Sequence, residues 1–182
     1  YNLLVGEYMQ IIDSLSARGF NAVFLQVRPT ADALFKSELE PWSHWLTGNQ
    51  GTAPDQDIDI LKELILITHR KGMEFHAWIN PYRLVHHSSK GKISEKHLSK
   101  THPGWVLEYG DLLILNPGLG AVRDYITQVV TDITQRYDID GIHFDDYFYP
   151  YPKADLPIND STTFEKYNRE HTRIDSWRRA NV

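Results

Sequence analysis

The sequence predicts one α/β domain in which parallel strands are covered by helices. Its 182 residues are enough for a single domain with a real core, and 41% of them are hydrophobic. Three times along the chain, a helical pattern is followed by a turn, a short apolar strand and a polar residue. Repeated units with near-continuous apolar strands are typical of a parallel sheet with helices on its faces. Right-handed crossovers then bring the carboxyl ends of the three strands to one edge.

The first repeat opens the chain. Gly19 is a natural end for its helix, the strand follows over residues 21–27, and Arg28 marks the end of that strand. A loop rich in Trp, Gly and Pro then occupies residues 41–57. The helix itself is predicted from apolar residues at helical spacing, which are Tyr8, Ile11, Ile12 and Leu15.

The second and third repeats follow the same pattern. In the second, a helix that ends near Gly72 precedes an apolar strand over residues 74–79, and Asn80 follows that strand. In the third, a helix over residues 121–137 precedes a strand over residues 141–146. The three repeats together predict the parallel sheet.

Three further segments carry local signals. Residues 112–115 predict a short fourth strand. Residues 83–110 are predicted to form a surface excursion above the strand carboxyl ends, which is typical of a binding loop. Thr162 and Glu165 form a capping-box pair, which predicts a last helix that continues through Trp177.

Two adjacent carboxylates, Asp145 and Asp146, lie where the third strand ends, and aromatic residues flank them. Neighbouring strand residues point to opposite faces, so the two cannot both face solvent if the strand is covered on both sides. A buried carboxylate is costly unless it is paired, bound to a metal or catalytic. We predict that Asp145 faces the cleft with His143, hydrogen-bonded to His143 or Arg28, and that Asp146 points toward the helices. Both are catalytic candidates.

Other residues near the strand ends are candidates for binding a ligand, because parallel α/β folds place their ligand sites there. For a single polar residue of this kind, hydrogen bonding within the rim is the competing interpretation. Aromatic rings suit stacking on the flat faces of sugar rings. The candidate substrate-binding residues are Arg28, His76, Trp78, Asn80, Tyr82, Asn116, His143, Tyr147 and Tyr149.

The composition argues against several classes of protein. The net charge of -5 gives no basic footprint for nucleic acid, and no apolar run approaches the ~18 residues of a membrane span. The chain has no Cys, no glycine-rich phosphate loop and no nucleophile elbow. The pairs His86-His87 and His97 with His102 do not put two imidazoles on one helix face, so we expect no metal and no cofactor.

Seven ordered runs, spread over nearly the whole chain, carry a family resemblance. They are residues 19–29, 38–43, 46–48, 76–83, 115–118, 140–152 and 175–179. Together these runs resemble the glycosyl-hydrolase-like 10 family of bacterial envelope proteins, which includes peptidoglycan glycan hydrolases.

The resemblance implies a partial TIM (β/α)8 barrel that is truncated at both ends. The chain would hold the second to fourth strands as one catalytic-type domain over residues 1–182, with the first strand before Tyr1 and the fifth to eighth beyond Val182. Asp145 also resembles the nucleophile of α-amylase-like barrels, at the end of the fourth strand. The resemblance therefore implies that Asp145 is a nucleophile or base, and that the second carboxyl group is Asp146 or lies outside this chain.

We therefore expect a glycoside hydrolase in the cell envelope or secreted, which acts on a bacterial polysaccharide such as peptidoglycan glycan strands. Self-association of copies would cover the open barrel. Two alternatives stay open. One is a carbohydrate-binding barrel without catalysis. The other is a metal-dependent polysaccharide deacetylase, since Asp145 and Asp146 are similar to the Asp-Asp pair of those enzymes.

Overall fold

The structure, a computed structural model, describes residues 2–54, 58–85, 93–146 and 148–182. Two sheets and their surrounding helices make up these ranges, with one 3-10 turn at Pro103–Trp105. In chain order the elements are α1 (Asn2–Ser16), β1 (Ala22–Arg28), α2 (His44–Thr47), α3 (Ile60–His69), β2 (Glu74–Ile79), β3 (Arg83–Val85), α4 (Leu98–Thr101), β4 (Val106–Tyr109), β5 (Leu112–Leu115), α5 (Gly120–Arg136), β6 (Gly141–Phe144), α6 (Ser161–Tyr167) and α7 (Ile174–Ala180).

The first sheet is parallel and has the strand order β1-β2-β6. This confirms the prediction of an α/β fold with a parallel sheet. In the register, Gln26 lies opposite Trp78, and Trp78 lies opposite His143. β6 ends at Phe144 rather than at residue 146, so both adjacent carboxylates follow the strand. The described strands form open sheets and do not close into a barrel.

The two faces of the parallel sheet differ in burial. The face toward the helices carries Phe75, Ala77 and Ile79, which are fully buried in the hydrophobic core. The opposite face carries alternate residues that are only partly buried, and Phe24 on this face is 53% exposed. We call this second face the open face. Its residues, by strand alternation and register, are Phe24, Gln26, His76, Trp78 and His143.

The helices of the first two repeats end as their glycines predict. Gly19 and Gly72 have φ of 80° and 68°, a backbone region that favours glycine. Each lies in the short turn between its helix and the strand that follows. The Asp59 carboxylate caps the start of α3 by accepting a hydrogen bond from the Lys62 amide. The predicted first helix is confirmed as α1, in which Tyr8 and Ile12 are buried and Ile11 is 55% exposed.

The second sheet is antiparallel, with the order β3-β5-β4. The short strand predicted at residues 112–115 is confirmed as β5, and it belongs to this second sheet. The predicted excursion over residues 83–110 is corrected in part, because β3, α4 and β4 lie within it. A two-residue turn with Gly110 at φ 57° joins β4 to β5 as a hairpin. The Leu115 amide donates to the Tyr82 carbonyl at 2.7 Å, which anchors this sheet to the loop after β2.

The predicted last helix is two helices, α6 and α7, and the predicted capping box is absent. Asn168 follows α6 and bonds the backbone of His171 through both ends of its amide, which turns the chain. Asp160 precedes α6, but its carboxylate accepts from the Arg178 guanidinium at 2.5 and 2.9 Å instead of capping the helix. In the part of the chain that the structure describes, no helix has both the length and the apolar character needed to cross a bilayer.

Candidate active site

Asp145 lies at the carboxyl end of the parallel sheet, as predicted, and Asn80 holds it there. Ile79 and Phe144 are the last paired residues of β2 and β6, so the residues that follow them are neighbours. The Asn80 side-chain amide donates to the two Asp145 carboxylate oxygens at 2.9 and 3.2 Å. The Asp145 side chain is 15% exposed. A partly exposed carboxylate is thereby fixed at the edge where parallel folds bind ligands.

Arg83 adds a positive charge beside this carboxylate. One of its guanidinium nitrogens lies 3.9 Å from the Asp145 carboxylate, and the Arg83 amide donates to the Asn80 side-chain oxygen at 3.0 Å. Asn80 is fully buried, and its side chain bonds both Asp145 and the Arg83 backbone. Arg83 was not among the predicted site residues, although its place three residues after Asn80 is a signal that could have included it.

Arg28 and His143, the partners predicted for Asp145, make their contacts elsewhere. Arg28 is fully buried and forms an ion pair with Glu40, with nitrogen-to-oxygen distances of 2.5 and 2.9 Å. It also donates to the carbonyls of Asn80 and Pro81, at 2.5 and 3.1 Å. With no exposed surface to meet a sugar, Arg28 supports the loop that carries Asn80.

The Arg28–Glu40 pair is itself enclosed. Burial alone would lower the pKa of Arg28, but the charge of Glu40 outweighs this effect and the pKa of Arg28 is raised. The Tyr125 hydroxyl donates to Glu40 at 3.3 Å, and burial raises the pKa of Tyr125 as well. A buried, fully bonded pair of this kind would be strongly destabilised by loss of either partner. Glu40 was not identified as a supporting residue from sequence.

The second catalytic candidate, Asp146, does not share the Asn80 partner of Asp145. Its carboxylate accepts a hydrogen bond from the Tyr151 hydroxyl, and the residue is exposed. Tyr147 lies outside the described residues. The Tyr149 ring lies 5.8 Å from the Arg178 guanidinium, and its hydroxyl has no hydrogen-bond partner among the described residues. Burial raises the pKa of Tyr149.

Three of the predicted binding residues, His76, Trp78 and His143, lie together on the open face. The His76 ring stacks on Phe24 with centroids 4.6 Å apart, and the His143 ring meets Phe24 and Trp78 edge-on at 5.2 and 6.0 Å. His143 precedes Asp145 by two residues, so this aromatic group lies beneath the Asn80–Asp145 pair along the strands. These rings give the candidate site an aromatic surface with polar edges, since the Trp78 indole nitrogen has no hydrogen-bond partner among the described residues.

Tyr82 and Asn116, by contrast, hold the carboxyl-terminal segment. The Tyr82 hydroxyl donates to the Asn181 carbonyl at 3.5 Å, and the Asn116 amide donates to the Thr163 hydroxyl at 2.8 Å. Both residues are buried. No described hydrogen bond joins either of them to Asp145, so their predicted contact with substrate stays a prediction.

Metal ligands do not cluster in the described ranges. Within residues 2–54, 58–85, 93–146 and 148–182, no group of three or more His, Cys, Asp or Glu side chains is arranged to hold an ion. His86 and His87 lie outside the described residues.

Two curated relatives that match nearly the whole chain are named glycosyl hydrolases. Glycosyl hydrolase YngK of Bacillus subtilis (strain 168) is 43% identical over 178 residues, which are 97% of this chain and 34% of that protein. Glycosyl hydrolase DigH of Escherichia coli (strain K12) is 36% identical over 180 residues, which are 94% of this chain and 40% of that protein. The chain therefore spans only 34% and 40% of these two curated relatives.

Solved structures share the fold at low sequence identity. The galactosidase domain of the alpha-galactosidase-sucrose kinase AgaSK superposes with a TM-score of 0.51 and 18% identity, over 78% of this chain and 19% of that one. A hypothetical protein from Ruminiclostridium thermocellum superposes with a TM-score of 0.55 and 10% identity, over 96% of this chain and 85% of that one. At these identities the likeness concerns the fold alone.

The family assignment rests on nearly the whole chain. The profile of the family described as Glycosyl hydrolase-like 10 matches residues 5–182. Since that match is joined by the 43% identity to YngK, the chain belongs to the Glycosyl hydrolase-like 10 family.

Proposed function

We propose that the chain is part of the catalytic domain of a glycoside hydrolase that cleaves a bacterial polysaccharide, with glycan strands of peptidoglycan as the substrate. The observation that carries the proposal is the Asp145 carboxylate, fixed by Asn80 at the carboxyl end of the parallel sheet. Family membership supports a hydrolase of glycosidic bonds. The aromatic group on the open face supports a sugar ligand, because sugar rings stack on such surfaces.

In this proposal Asp145 is the nucleophile or the base. Glycosidases place two carboxyl groups on either side of the bond that breaks. Asn80 positions Asp145, and Arg83 lies close enough to bind a sugar hydroxyl beside it. The second carboxyl group is Asp146 after a change of partner from Tyr151, or a residue outside this chain.

We further propose that β1, β2 and β6 are consecutive strands of a (β/α)8 barrel, with the open face as its interior. Their parallel order and their helix-covered outer face support this arrangement. The resemblance to envelope proteins supports a location in the cell envelope or outside the cell.

The decisive experiment is Asp145→Asn in the full-length protein, assayed for glycan cleavage. The change removes charge and proton chemistry but almost no volume, so kcat should fall by more than about a hundredfold while glycan binding stays nearly constant. A hundredfold loss corresponds to about 3 kcal/mol of transition-state stabilisation. Asp138→Asn is the matched control, because this carboxylate is 99% exposed and precedes β6 instead of following it. If Asp145→Asn keeps more than a hundredth of the rate, Asp145 is not the nucleophile and Asp146 takes its place in the proposal.

A binding domain without catalysis is the second candidate. Its supporting observation is that Asn80 holds Asp145 alone. Asp146, the other candidate carboxylate of this chain, bonds Tyr151 instead. Glycan binding by the wild-type protein with no cleavage would favour this candidate. Release of acetate from the glycan that is lost with EDTA and restored by zinc would instead favour a metal-dependent deacetylase.

A further inference from the structure

A cavity lies at the same end of the molecule as Asp145. It has a volume of about 620 Å³ and lies beside the turn from β5 into α5. Because α5 leads into β6 through a parallel crossover, the start of α5 lies near the carboxyl end of β6. A cavity of this size accommodates one or two sugar rings. We call it the α5 cavity. Its principal side chains are Trp105, Arg123, Tyr167, Arg169, Trp177 and Asn181.

Aromatic rings form the apolar part of the wall, and other rings hold two of them in place. Trp105 meets Tyr125 edge-on at 5.8 Å, and Trp177 meets Phe164 edge-on at 5.5 Å. Trp177 is 4% exposed and lies directly against Gly118, where a Cβ atom would overlap the indole ring. The glycine therefore lets the ring close the wall. Of the rings in the wall, Trp105 is partly exposed and Tyr167 is 46% exposed, and such accessible aromatic surface suits the apolar face of a sugar ring.

The charged part of the wall is entirely positive. Arg123 and Arg169 line the cavity, and none of the described residues that line it carries a carboxylate. Arg123 is oriented by hydrogen bonds from its guanidinium to the Pro117 carbonyl, at 2.7 Å, and to the Asn181 side-chain oxygen, at 2.9 Å. Arg169 is exposed and makes no ion pair with any described residue. In a chain of net charge -5, this pattern selects an anion.

We propose that the α5 cavity is a subsite for a sugar ring that carries a carboxylate. The aromatic rings hold the ring and Arg169, assisted by Arg123, binds the carboxylate, because a guanidinium pairs with a carboxylate in two parallel hydrogen bonds. This inference rests on the proposed function, since it assigns an acidic glycan to the same protein. It adds that the glycan is recognised through its acid group as well as through its rings.

The test compares two sugars that differ by one acidic substituent. N-acetylmuramic acid and N-acetylglucosamine share the ring and the acetamido group, but only the first carries a lactyl carboxylate. Each is titrated into the full-length protein at low salt and followed by NMR. The acid should bind at least about tenfold more tightly than the neutral sugar, which is the scale of a charge-assisted hydrogen bond. Arg169→Gln should remove most of this preference, and 0.5 M salt should reduce it.

The matched control is Arg179→Gln, which removes the same charge from an exposed residue of α7 that does not line the cavity. Equal binding of the two sugars, or equal losses in the Arg169 and Arg179 variants, would overturn the subsite. The binding readout does not depend on turnover. If the preference for the acidic sugar is absent but Asp145→Asn is inactive, the subsite is wrong and the proposed function stands. If the preference is present but Asp145→Asn stays active, the role of Asp145 is wrong and the subsite stands.

Discussion

At the scale of single residues, Asn80 joins the core of the protein to its candidate site. Its backbone carbonyl accepts from the buried Arg28, while its side-chain amide donates to Asp145. The rigid Arg28–Glu40 pair thus fixes the backbone from which the Asp145 carboxylate is held. Positioning by a buried amide keeps a carboxylate in place without adding a charge of its own.

Asn80→Asp should change the pH dependence of cleavage. The substituted side chain has nearly the same shape but puts a second carboxylate where an amide donor now faces Asp145. Two carboxylates in contact resist ionising together, so the acid limb of the kcat/KM profile of the full-length protein should move to higher pH, by roughly one unit or more. Asn49→Asp, at an exposed position, is the control. An unmoved acid limb would remove Asn80 from the role of positioning residue.

The sequence predicted where Asp145 lies but not which residue holds it. A carboxylate directly after an apolar strand is visible in the chain, and so is the edge at which it must lie. The partner depends on the register of β2 against β6, in which Ile79 faces Phe144, and no local pattern specifies that register. Arg28 was a reasonable candidate by proximity, but its partner Glu40 lies in a loop whose path sequence does not reveal.

At the scale of elements, His97 ties the segment before α4 to the loop after β1. Its Nε2 donates to the Thr30 carbonyl at 2.9 Å, and its Nδ1 accepts from the Ser99 amide at 3.2 Å, which caps α4. The bond that Nδ1 accepts requires the neutral ring, whereas the bond that Nε2 donates forms in either protonation state. Burial lowers the pKa of His97, and Arg28 acts in the same direction, while the Thr30 carbonyl, Asp32 and Glu40 oppose the shift.

This histidine should make folding stability fall in mild acid. The folded protein keeps His97 neutral at a pH where the unfolded chain takes up a proton, near 6.5, so the free energy of unfolding drops as the pH falls below that value. The slope from one such proton is at most about 1.4 kcal/mol per pH unit.

Urea unfolding of wild type and His97→Gln, measured from pH 7.5 to 5, separates this effect from that of other groups. The variant should be less stable at pH 7.5 but lose less stability on acidification. Parallel curves for the two proteins would show that His97 does not titrate on unfolding.

Element boundaries were predicted well where the apolar pattern is clear, and β2 and β5 match their predicted bounds at both ends. α5 begins and ends within one residue of its prediction, because its apolar positions repeat over four turns. The strands β3 and β4 were missed because they lack the continuous apolar run that marks β5, and pairing with β5 makes them strands. The break between α6 and α7 depends on the Asn168 side chain bonding the backbone, which competes with a helical continuation that the composition also permits.

At the scale of the whole molecule, the open face is the feature that the described residues leave uncovered. β1 and β6 are the edges of the described parallel sheet, and Phe24 lies exposed on its open face against His76. The sequence predicted the parallel sheet and its helix-covered face, because apolar strands and amphipathic helices are local signals. Closure into a barrel stays a prediction, since it depends on pairing between strands far apart in sequence.

Residues 1–182 on their own should self-associate through this face. Aromatic side chains on an uncovered sheet favour contact between copies. Light scattering should give a mass above the 21.1 kDa of one chain, rising with concentration, and Phe24→Ser should lower it. Phe20→Ser is the control, because Phe20 is 56% exposed in the turn after α1. A mass of one chain at every concentration would contradict the expectation.

The hydrogen bond from Arg28 to the Asn80 carbonyl has a consequence for engineering the site. The arginine binds the main-chain carbonyl of Asn80, and a carbonyl is present whatever side chain the position carries. A protein engineer can therefore vary the group that faces Asp145 while the scaffold beneath it keeps its anchorage. Libraries at position 80 should be limited to side chains close to Asn in volume, such as Asp, Ser and Thr, because a fully buried position leaves no room for larger ones.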